Sequence, residues 1–463
     1  MGRASRRRAE QRVRRQGEEQ HRENERVRAA AAREAVAELF GDVAQTPLTL
    51  VVDTPRGPFV RRIPHALPLP EGVEPGIGAE EATHQAAATW GMPDFVYRAA
   101  VRRLPSGQRE LGDRLLIVGD RAAVVQVKSR QGTLRDNIGE RSWTRKQVNK
   151  AVRQANGTVR SLRTMPAEFT NGRGRKITVD GNRFTWLAVA VIDHQQLPTD
   201  TSADVTPGGL PVVTLLRRDW DFLFNQLRST YAVMQYLFRV SAKPGIPLGD
   251  EAVRYYELAA ADLDAPPSPV AAPWLGPGAQ QRSTPLLPQA PTAFEDNRAL
   301  VLLRIISEDI ATSPMTGSAE EAARLQVLAE IDSLPVGFRV ELGQVLQQMM
   351  DDVADRTDRL WRFRRLLDSG PLQLIFGACS QEHDEQVVVA ARSYLELRHH
   401  EFGQGQSAHV DHVTLLILLT PRRDDGERPW DTSMFRLSGI STLTPEEVAF
   451  RRGLWSPTST AAH

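Results

Sequence analysis

The segment "ELGDRLLIVGDRAAVVQVKSRQG" (110–132) decides the fold of the N-terminal half, because it predicts two apolar strands around a turn at Gly119 and Asp120. A two-residue turn of the Gly-X type pairs residues whose numbers sum to 239, which places Asp113 opposite Gln126. Side chains alternate along a strand, so Gln126 and Lys128 share one face. The hairpin therefore predicts three polar side chains close together.

A turn longer by one residue would place Asp113 opposite Val127 instead, so the first register assumes the two-residue turn. In the first register, opposed Cβ atoms lie about 4.5–5.5 Å apart. A carboxylate and neighbouring oxygens can hold a hard cation such as Mg²⁺, and a lysine beside it can orient a water molecule. Phosphodiester hydrolysis needs this arrangement. The alternative is an exposed hairpin with a solvated polar face.

The rest of the N-terminal half predicts alternating strands and helices. We expect Asp193 and His194 to form a turn where a buried strand ends. The predicted elements are a short hairpin at 48–63, a helix at 79–90, a strand at 94–103, a polar loop at 129–141, a helix at 142–163, strands at 184–192 and 212–216, and a helix or helix pair at 218–242.

A proline-rich segment without periodicity (265–294) predicts a linker, and the chain beyond it predicts a separate domain at 295–455. Helices are expected at 297–311, 319–334 and 340–369. "LQLIFGA", "EQVVVAARSYLELRHHEF" and "HVTLLILLT" then predict a β-α-β unit. This domain is expected to be α/β or mostly helical. Its role is open between contact with a partner protein, a nucleic-acid feature or another subunit.

Composition excludes some classes of protein. The net charge is +1, so the whole-chain balance points to no particular partner, and the single Cys379 fits a reducing cytoplasm. The apolar runs are shorter than the roughly 20 residues of a spanning helix, so no membrane partner is expected. A phosphate loop of the Walker type is absent from the sequence, so no ATP site is expected.

The first 45 residues predict a basic helical arm. Seven of the first fifteen residues are Arg. The arm is either a solvated helix or a contact to nucleic acid, and Glu residues from position 18 onward dilute its charge.

The hairpin "GDRLLIVGDRAAVVQVKSR" resembles the core motif of the PD-(D/E)XK nuclease superfamily. Its glutamine version is similar to that of Mrr-like restriction endonucleases. The preceding "GIGAEEATHQAAATWGMPDFVYRAAV" looks like the helix and strand that open such domains. The following "VNKAVRQANGTVRSL" looks like the helix after the lysine in nuclease-related, NERD-type domains. The resemblance covers about residues 76–200.

The resemblance implies roles for individual residues. Asp113 would bind the metal, Mg²⁺ or Mn²⁺, and Lys128 would be the catalytic lysine. Gln126 would replace the usual Glu, with its side-chain oxygen or the backbone carbonyl of Val127 completing the metal shell. The acid of the opening helix would be Glu80 or Glu81, where the family pattern usually has one acid. A neutral Gln126 implies weaker metal affinity, or an inactive descendant.

The sequence predicts that the helix after the hairpin has one apolar face and one basic face. An apolar stripe recurs at helical spacing, and basic residues lie largely opposite. The stripe is Val148, Val152, Ala155, Val159 and Leu162. Lys146, Lys150, Arg153 and Arg160 are candidates for binding a DNA or RNA backbone, or form an ordinary solvated face.

The resemblance and the residues together predict an α/β fold. The expected core is restriction-endonuclease-like, with a mixed central sheet flanked by helices in a domain at 46–264. The expected function is a metal-dependent nuclease that hydrolyses DNA or RNA, with genome defence or repair as an analogy from the fold. The alternatives are a non-catalytic nucleic-acid-binding or interaction module on a degenerate nuclease scaffold, and a structural protein with an exposed hairpin.

Overall fold

A computed structural model describes most of the 463-residue chain. The predicted basic arm lies outside the described residues, as does most of the predicted linker. The described residues are 48–55, 57–66, 69, 71–98, 101–104, 107–110, 114–194, 196–198, 200–203, 209–264, 287–290, 296–313, 318–334, 336–354, 356–369, 372–404, 412–422 and 430–455.

Eleven strands lie in the described part of the N-terminal half, and seven of them form one mixed sheet. They are β1 (Leu48–Thr54), β2 (Gly57–Ile63), β3 (Val96–Arg98), β4 (Val101–Leu104), β5 (Gly107–Glu110), β6 (Arg114–Val118), β7 (Arg121–Ser129), β8 (Ala167–Asn171), β9 (Lys176–Val179), β10 (Thr185–Asp193) and β11 (Val212–Leu216). The large sheet has the order β11-β10-β7-β6-β3-β8-β9, and β7, β10 and β11 are parallel. The other neighbours in it are antiparallel.

Two predictions about strands need correction. The strand expected at 94–103 is interrupted, because β3 ends at Arg98 and β4 pairs with β5 in a separate two-stranded sheet. The hairpin of β8 and β9 was not anticipated. Gly174 has a φ of 81° in its turn, a conformation that favours glycine.

Five helices accompany this sheet. They are α1 (Pro75–Trp90), α2 (Asn137–Thr164), α3 (Arg217–Leu227), α4 (Thr230–Ser241) and α5 (Glu251–Asp264). Capping explains why α1 and α2 begin earlier than predicted. The Glu74 carboxylate accepts a hydrogen bond from the Ile77 amide (3.0 Å), and the Asp136 carboxylate accepts one from the Gly139 amide (2.8 Å). Such bonds satisfy amides that have no partner inside the helix.

Helices cover both faces of the large sheet. The predicted stripe of α2 is buried as expected and packs on one face, with Ala122 and Val124 of β7. Helices α1, α3 and α4 pack on the other face, with Ala123, Val125 and Val127. Successive side chains of β7 therefore point alternately to the two faces of the sheet.

The C-terminal half is α/β. Its elements are α6 (Asn297–Thr312), α7 (Ser318–Asp332), α8 (Val336–Ala354), β12 (Trp361–Ser369), β13 (Leu372–Cys379), α9 (Glu385–Gln404), β14 (Val413–Pro421), β15 (Trp430–Ser438) and α10 (Pro445–Leu454). The sheet order is β12-β13-β14-β15. The predicted β-α-β unit is confirmed, since β13 and β14 are parallel on either side of α9.

The predicted helix at 340–369 is wrong in its second half. Helix α8 ends at Ala354, and β12 follows as an antiparallel partner of β13. The sequence "WRFRRLLDS" alternates at its start, so Trp361 and Phe363 share a face and join a small aromatic core with Tyr394. Strand β15 and helix α10 were not anticipated.

The two halves are joined in the described residues. The largest buried cluster combines Val125 and Leu223 of the N-terminal half with Leu303, Leu346 and Ile417 of the C-terminal half.

Ion pairs add to this junction. Fully buried Asp94 accepts a hydrogen bond from Arg173 Nε (2.6 Å), and Arg173 Nη2 contacts Glu308 of α6 (2.5 Å). The hairpin of β8 and β9 is thereby tied to α6.

Candidate functional site

The register of the hairpin between β6 and β7 is the one predicted by a two-residue turn. Arg114 pairs with Val125 and Val118 pairs with Arg121, so the numbers of facing residues sum to 239. Gly119 has a φ of 60°, as a turn of the Gly-X type requires. Asp113 lies outside the described residues, so its place opposite Gln126 stays a prediction.

Gln126 and Lys128 lie close together near the end of β7. Lys128 Nζ donates a hydrogen bond to Gln126 Oε1 at 3.3 Å. The Gln126 side chain is buried, and Lys128 is half-buried. By alternation with Ala122 and Val124, both side chains leave the strand on the α2 face. Val127, whose carbonyl is a predicted metal ligand, is buried on the α1 face.

The two candidate acids of α1 are held by arginines. Arg114 Nη1 lies 3.9 Å from Glu80, and Arg114 Nη2 lies 3.4 Å from Glu81. Arg98 lies 3.7 Å from Glu81. The side chain of Glu80 is 32% exposed and that of Glu81 is 50% exposed. Both carboxylates are therefore accessible, and their negative charge is offset in part.

Arg114 lies on the α1 face, since it alternates with Leu115 and shares a side of β6 with Leu116 and Val118. Glu80 and Glu81 accordingly approach the sheet from the face opposite to that of Gln126 and Lys128. Glu80 or Glu81 could bind the same metal ion as Gln126 only by reaching around the end of the strands. That these side chains share one metal ion stays a prediction.

His84 of α1 is a buried histidine that was not identified from sequence. Its Nδ1 atom has no hydrogen-bond partner in the described part of the chain. Burial lowers the pKa of His84, and the positive charge of Arg114 lowers it further. The imidazole is therefore neutral at pH 7 and can serve as a hydrogen-bond acceptor or donor beside the two acids.

Glu140, in the first turn of α2, organises the chain directly after Lys128. Its carboxylate accepts hydrogen bonds from Arg130 Nε (2.7 Å) and Nη2 (2.8 Å) and from the Arg135 amide (2.6 Å), and lies 2.9 Å from His194 Nε2. The hydrogen bonds from Arg130 hold the pKa of Glu140 well below its usual range. Sequence analysis missed this residue, because its partners come from two distant strand ends.

Asp193 also lies at this edge of the sheet. It accepts hydrogen bonds from Ser129 Oγ (2.9 Å) and Arg217 Nε (2.8 Å). The prediction of a strand-end position is confirmed for Asp193 and His194, since β10 ends at Asp193. The parallel strands β7, β10 and β11 thus present polar side chains at one common edge.

Two carboxyl groups of α3, the buried Asp219 and the half-buried Asp221, lie beside this edge. Burial raises the pKa of Asp219 to about 7, and burial raises the pKa of Asp221 to about 6. Asp219 Oδ2 accepts a hydrogen bond from the Leu216 amide at 3.3 Å. Both groups can change protonation near neutral pH, and the motif "RDWD" shows no sign of this in sequence.

The outer face of α2 is basic. Lys146, Lys150, Arg153 and Arg160 are all exposed, as predicted. Exposed Arg145 and Arg163 extend the same face, and they were not named from sequence. Among the described residues, no carboxylate lies within 4 Å of these six cations. We call them the α2 basic face.

One metal ligand predicted from sequence, Asp113, lies outside the described residues. Within the described ranges, no group of three or more His, Cys, Asp or Glu side chains could hold a metal ion. The remaining donors predicted from sequence are the Gln126 amide oxygen, the Val127 carbonyl and Glu80, which are oxygen ligands of the kind that Mg²⁺ takes. A carboxamide oxygen has two lone pairs, and Lys128 uses one of them.

Comparison of the chain with protein-family models, curated proteins and solved structures found no match. No helix in the part of the chain that the structure describes is long and apolar enough to cross a membrane.

Proposed function

We propose that the chain is a metal-dependent nuclease that hydrolyses phosphodiester bonds in DNA or RNA. The observation that carries the proposal is the hydrogen-bonded pair of Gln126 and Lys128 near the end of β7. Burial of the Gln126 amide costs free energy unless it is hydrogen-bonded, and its bond to Lys128 holds both polar groups together near the end of a strand of valines and alanines.

The order of elements supports the proposal. Helix α1 and strand β3 precede the hairpin of β6 and β7, and α2 and β10 follow it. This order matches the one implied by the resemblance to PD-(D/E)XK nucleases. In the hairpin, the numbers of paired residues sum to 239. If this pairing continues by one more residue, Asp113 lies opposite Gln126.

Each residue would have a defined role. Asp113, the Gln126 side-chain oxygen, the Val127 carbonyl and Glu80 or Glu81 would hold Mg²⁺ or Mn²⁺. A bound divalent ion lowers the pKa of a water molecule and stabilises charge on a phosphoryl oxygen. Lys128, fixed by its bond to Gln126, would orient the attacking water and offset negative charge in the transition state.

The α2 basic face would hold the nucleic-acid backbone. Lys146 and Arg163 are separated by about 25 Å along the axis at 1.5 Å for each residue. Cations along such a length can contact several successive phosphates, and this contact is independent of sequence. It lies on the same face of the sheet as Gln126 and Lys128.

The experiment is a cleavage assay with the full-length chain. Plasmid DNA and RNA are incubated with Mg²⁺ or Mn²⁺ and with wild type, Lys128→Ala or Asp113→Ala. We expect each substitution to lower the cleavage rate by 10²-fold or more, as for loss of a proton-transfer or charge-stabilising group. Lys176→Ala is the matched control, since Lys176 is exposed and paired with Glu168 on a remote hairpin. Equal cleavage by all four proteins would contradict the site.

The glutamine itself can be tested. Gln126→Glu restores the acid that the family pattern usually has, so we expect the Mg²⁺ concentration for half-maximal cleavage to fall about tenfold. A higher Mg²⁺ requirement in this variant would contradict the assignment of Gln126 as a metal ligand.

A second function is favoured by the contacts of Arg114. Its guanidinium offsets the charge of Glu80 and Glu81, and Gln126 is neutral, so the site has little negative charge for a cation. The α2 basic face does not depend on that site. A non-catalytic nucleic-acid-binding module would show salt-dependent binding and no cleavage by wild type.

A further inference from the structure

A cavity of about 220 Å³ lies between the N-terminal and C-terminal halves, away from the edge of the sheet described above. It is bounded by the end of α1, the junction of α3 and α4, and helices α6, α7 and α8. Most of its lining is apolar. The apolar side chains include Trp90, Met92, Leu300, Leu303, Ile331 and Leu334.

Three arginines line this cavity, and two of them are committed to protein partners. Arg339 donates to the backbone carbonyls of Arg228 (3.0 Å) and Asp332 (2.6 Å), and it lies 3.4 Å from the Asp332 carboxylate. Arg304 donates to the Gly91 carbonyl and lies 2.9 Å from Glu308. The charges of both arginines are therefore matched by carboxylates.

Arg228 differs from the other two. Its side chain makes one hydrogen bond in the described part of the chain, from Nη1 to Asn297 Oδ1 at 3.1 Å, and no carboxylate of that part lies within 4 Å. Its guanidinium lies 5.2 Å from the centre of the Trp90 ring. A guanidinium has five N–H donors, so most of its donors have no acceptor among the described residues. A half-buried cation without a counter-ion is costly.

The backbone at Arg228 holds this side chain in place. Arg228 has a φ of 47°, and it is one of two described non-glycine residues with positive φ. Arg228 is the left-handed residue that ends α3, a common helix C-cap, and this conformation costs a residue with a side chain about 1–2 kcal/mol. The Arg228 amide donates to the Phe224 carbonyl (2.8 Å), and its carbonyl accepts from Arg339, so both sides of the strained residue are fixed.

We infer that this cavity binds a small organic monocarboxylate whose apolar body fills the space beside Trp90 and whose carboxylate pairs with Arg228. The volume suits such a ligand, because an apolar cavity of roughly 150 Å³ binds benzene. A ligand of this kind would supply the counter-ion that Arg228 lacks within the described part of the chain. It would contact helices of both halves, and the inference does not depend on the proposed nuclease site.

Calorimetric titration of the full-length chain tests the inference. The probes are 3-phenylpropionate and its uncharged amide, 3-phenylpropanamide, with inorganic phosphate as an anion that has no apolar body. We expect the carboxylate to bind at least tenfold more tightly than the amide, since a charge-assisted hydrogen bond is lost. Phosphate should bind at least tenfold more weakly than the carboxylate.

Substitution of Arg228 locates the site. Arg228→Gln should remove the preference for the carboxylate over the amide, and Arg228→Lys should retain part of it. Arg298→Gln is the matched control, because it makes the same charge change at an exposed position of α6 outside the cavity lining. It should leave the preference unchanged.

Three outcomes would overturn the inference. They are equal affinity of wild type for carboxylate and amide, no binding of the carboxylate, and an unchanged preference in folded Arg228→Gln. Thermal melts establish that each variant is folded. If Arg228→Gln fails to fold, the relative affinities of wild type for carboxylate, amide and phosphate decide whether the inference holds.

Discussion

The protein contains two strand–helix–strand units of the same architecture and different chemistry. In the first, the parallel strands β7 and β10 flank α2, and the β8–β9 hairpin is inserted between α2 and β10; in the second, the parallel strands β13 and β14 follow directly on either side of α9. Both central strands are buried along most of their length. Strand β7 carries Gln126 and Lys128 toward its end, whereas β13 ends in Gly377, Ala378 and Cys379.

The two helices differ even more in charge. Helix α9 has three acidic residues, and two of them pair with arginines: Glu396 with Arg451 and Glu401 with Arg398 and Arg452. The only acid of α2 is the buried Glu140, which is paired with Arg130. The cations of the α2 basic face therefore have no carboxylate partner among the described residues, whereas two acids of α9 are paired with arginines. A shared architecture does not imply a shared function.

The largest expected effect is a pH-dependent change in the free energy of unfolding caused by Asp219. This carboxyl group lies next to the first unit, and the described residues of the second unit contain no equivalent group. Burial raises the pKa of Asp219 from its ordinary 3.8 to about 7 in the folded chain, so at about pH 5–6 the folded state holds a proton that the unfolded chain releases. Stability must then fall as pH rises from about 4 to 8, by on the order of 4 kcal/mol. Asp219→Asn should lose this pH dependence, measured by urea unfolding at pH 5 and pH 8. Identical pH profiles for the variant and wild type would show that Asp219 is ionised in the folded chain.

The next effect compares a buried acid of α2 with a more exposed acid of α9. Glu140→Gln should lower the free energy of unfolding by roughly 1.5–3 kcal/mol, since charged hydrogen bonds from Arg130 are lost. Because the pKa of Glu140 is lowered by folding, this stabilisation is present above the unfolded pKa and disappears as pH falls through the folded pKa.

Glu401→Gln in α9 is the matched variant, and its ion pairs are partly exposed. We expect a loss of less than about 1 kcal/mol at neutral pH. A larger loss for Glu401→Gln than for Glu140→Gln would reverse the comparison of the two helices.

A third test addresses the charge of the α2 basic face. The double variant Lys146→Gln/Lys150→Gln should reduce the slope of log affinity for duplex DNA against log salt by about 1.8, because each phosphate contact contributes roughly 0.9. The control is Arg364→Gln/Arg392→Gln, which changes two exposed arginines of the C-terminal half, one in β12 and one in α9. Fluorescence anisotropy at several salt concentrations measures both. Equal slopes for the two double variants would exclude α2 as the contact surface.

The smallest expected effect is that of removing the N-cap carboxylate of a helix, and it should be equal for α2 and α9. The Asp136 carboxylate accepts a hydrogen bond from the Gly139 amide at the start of α2, and the Asp384 carboxylate accepts one from the Val387 amide at the start of α9. Asp136→Ala and Asp384→Ala should each cost about 1 kcal/mol of unfolding free energy. Thermal and urea unfolding measure this loss. Costs that differ by more than about 1 kcal/mol would mean that the units differ in helix initiation as well as in charge.

Local features were predictable from sequence for a physical reason. The two-residue turn at Gly119 sets the register of β6 and β7, and the alternation of side chains puts Gln126 and Lys128 on one face. The stripe of α2 follows from 3.6 residues per turn. These rules act between neighbours in the chain. The predicted helix at 340–369 failed where a long-range contact competed, since pairing with β13 makes Trp361–Ser369 a strand.

Only the tertiary structure decides which charges meet. Glu140 lies 54 residues from His194, and Arg114 is 33 residues from Glu81, so no spacing in the sequence could show either contact. The burial that raises the pKa of Asp219, and the cavity in which Arg228 has no carboxylate partner among the described residues, arise because distant helices pack together. Sequence by itself determined which polar groups are available and on which face of a strand or helix they lie. Folding determined which of them are neutralised, because the strength of a charge depends on its neighbours in space and on its exposure to water.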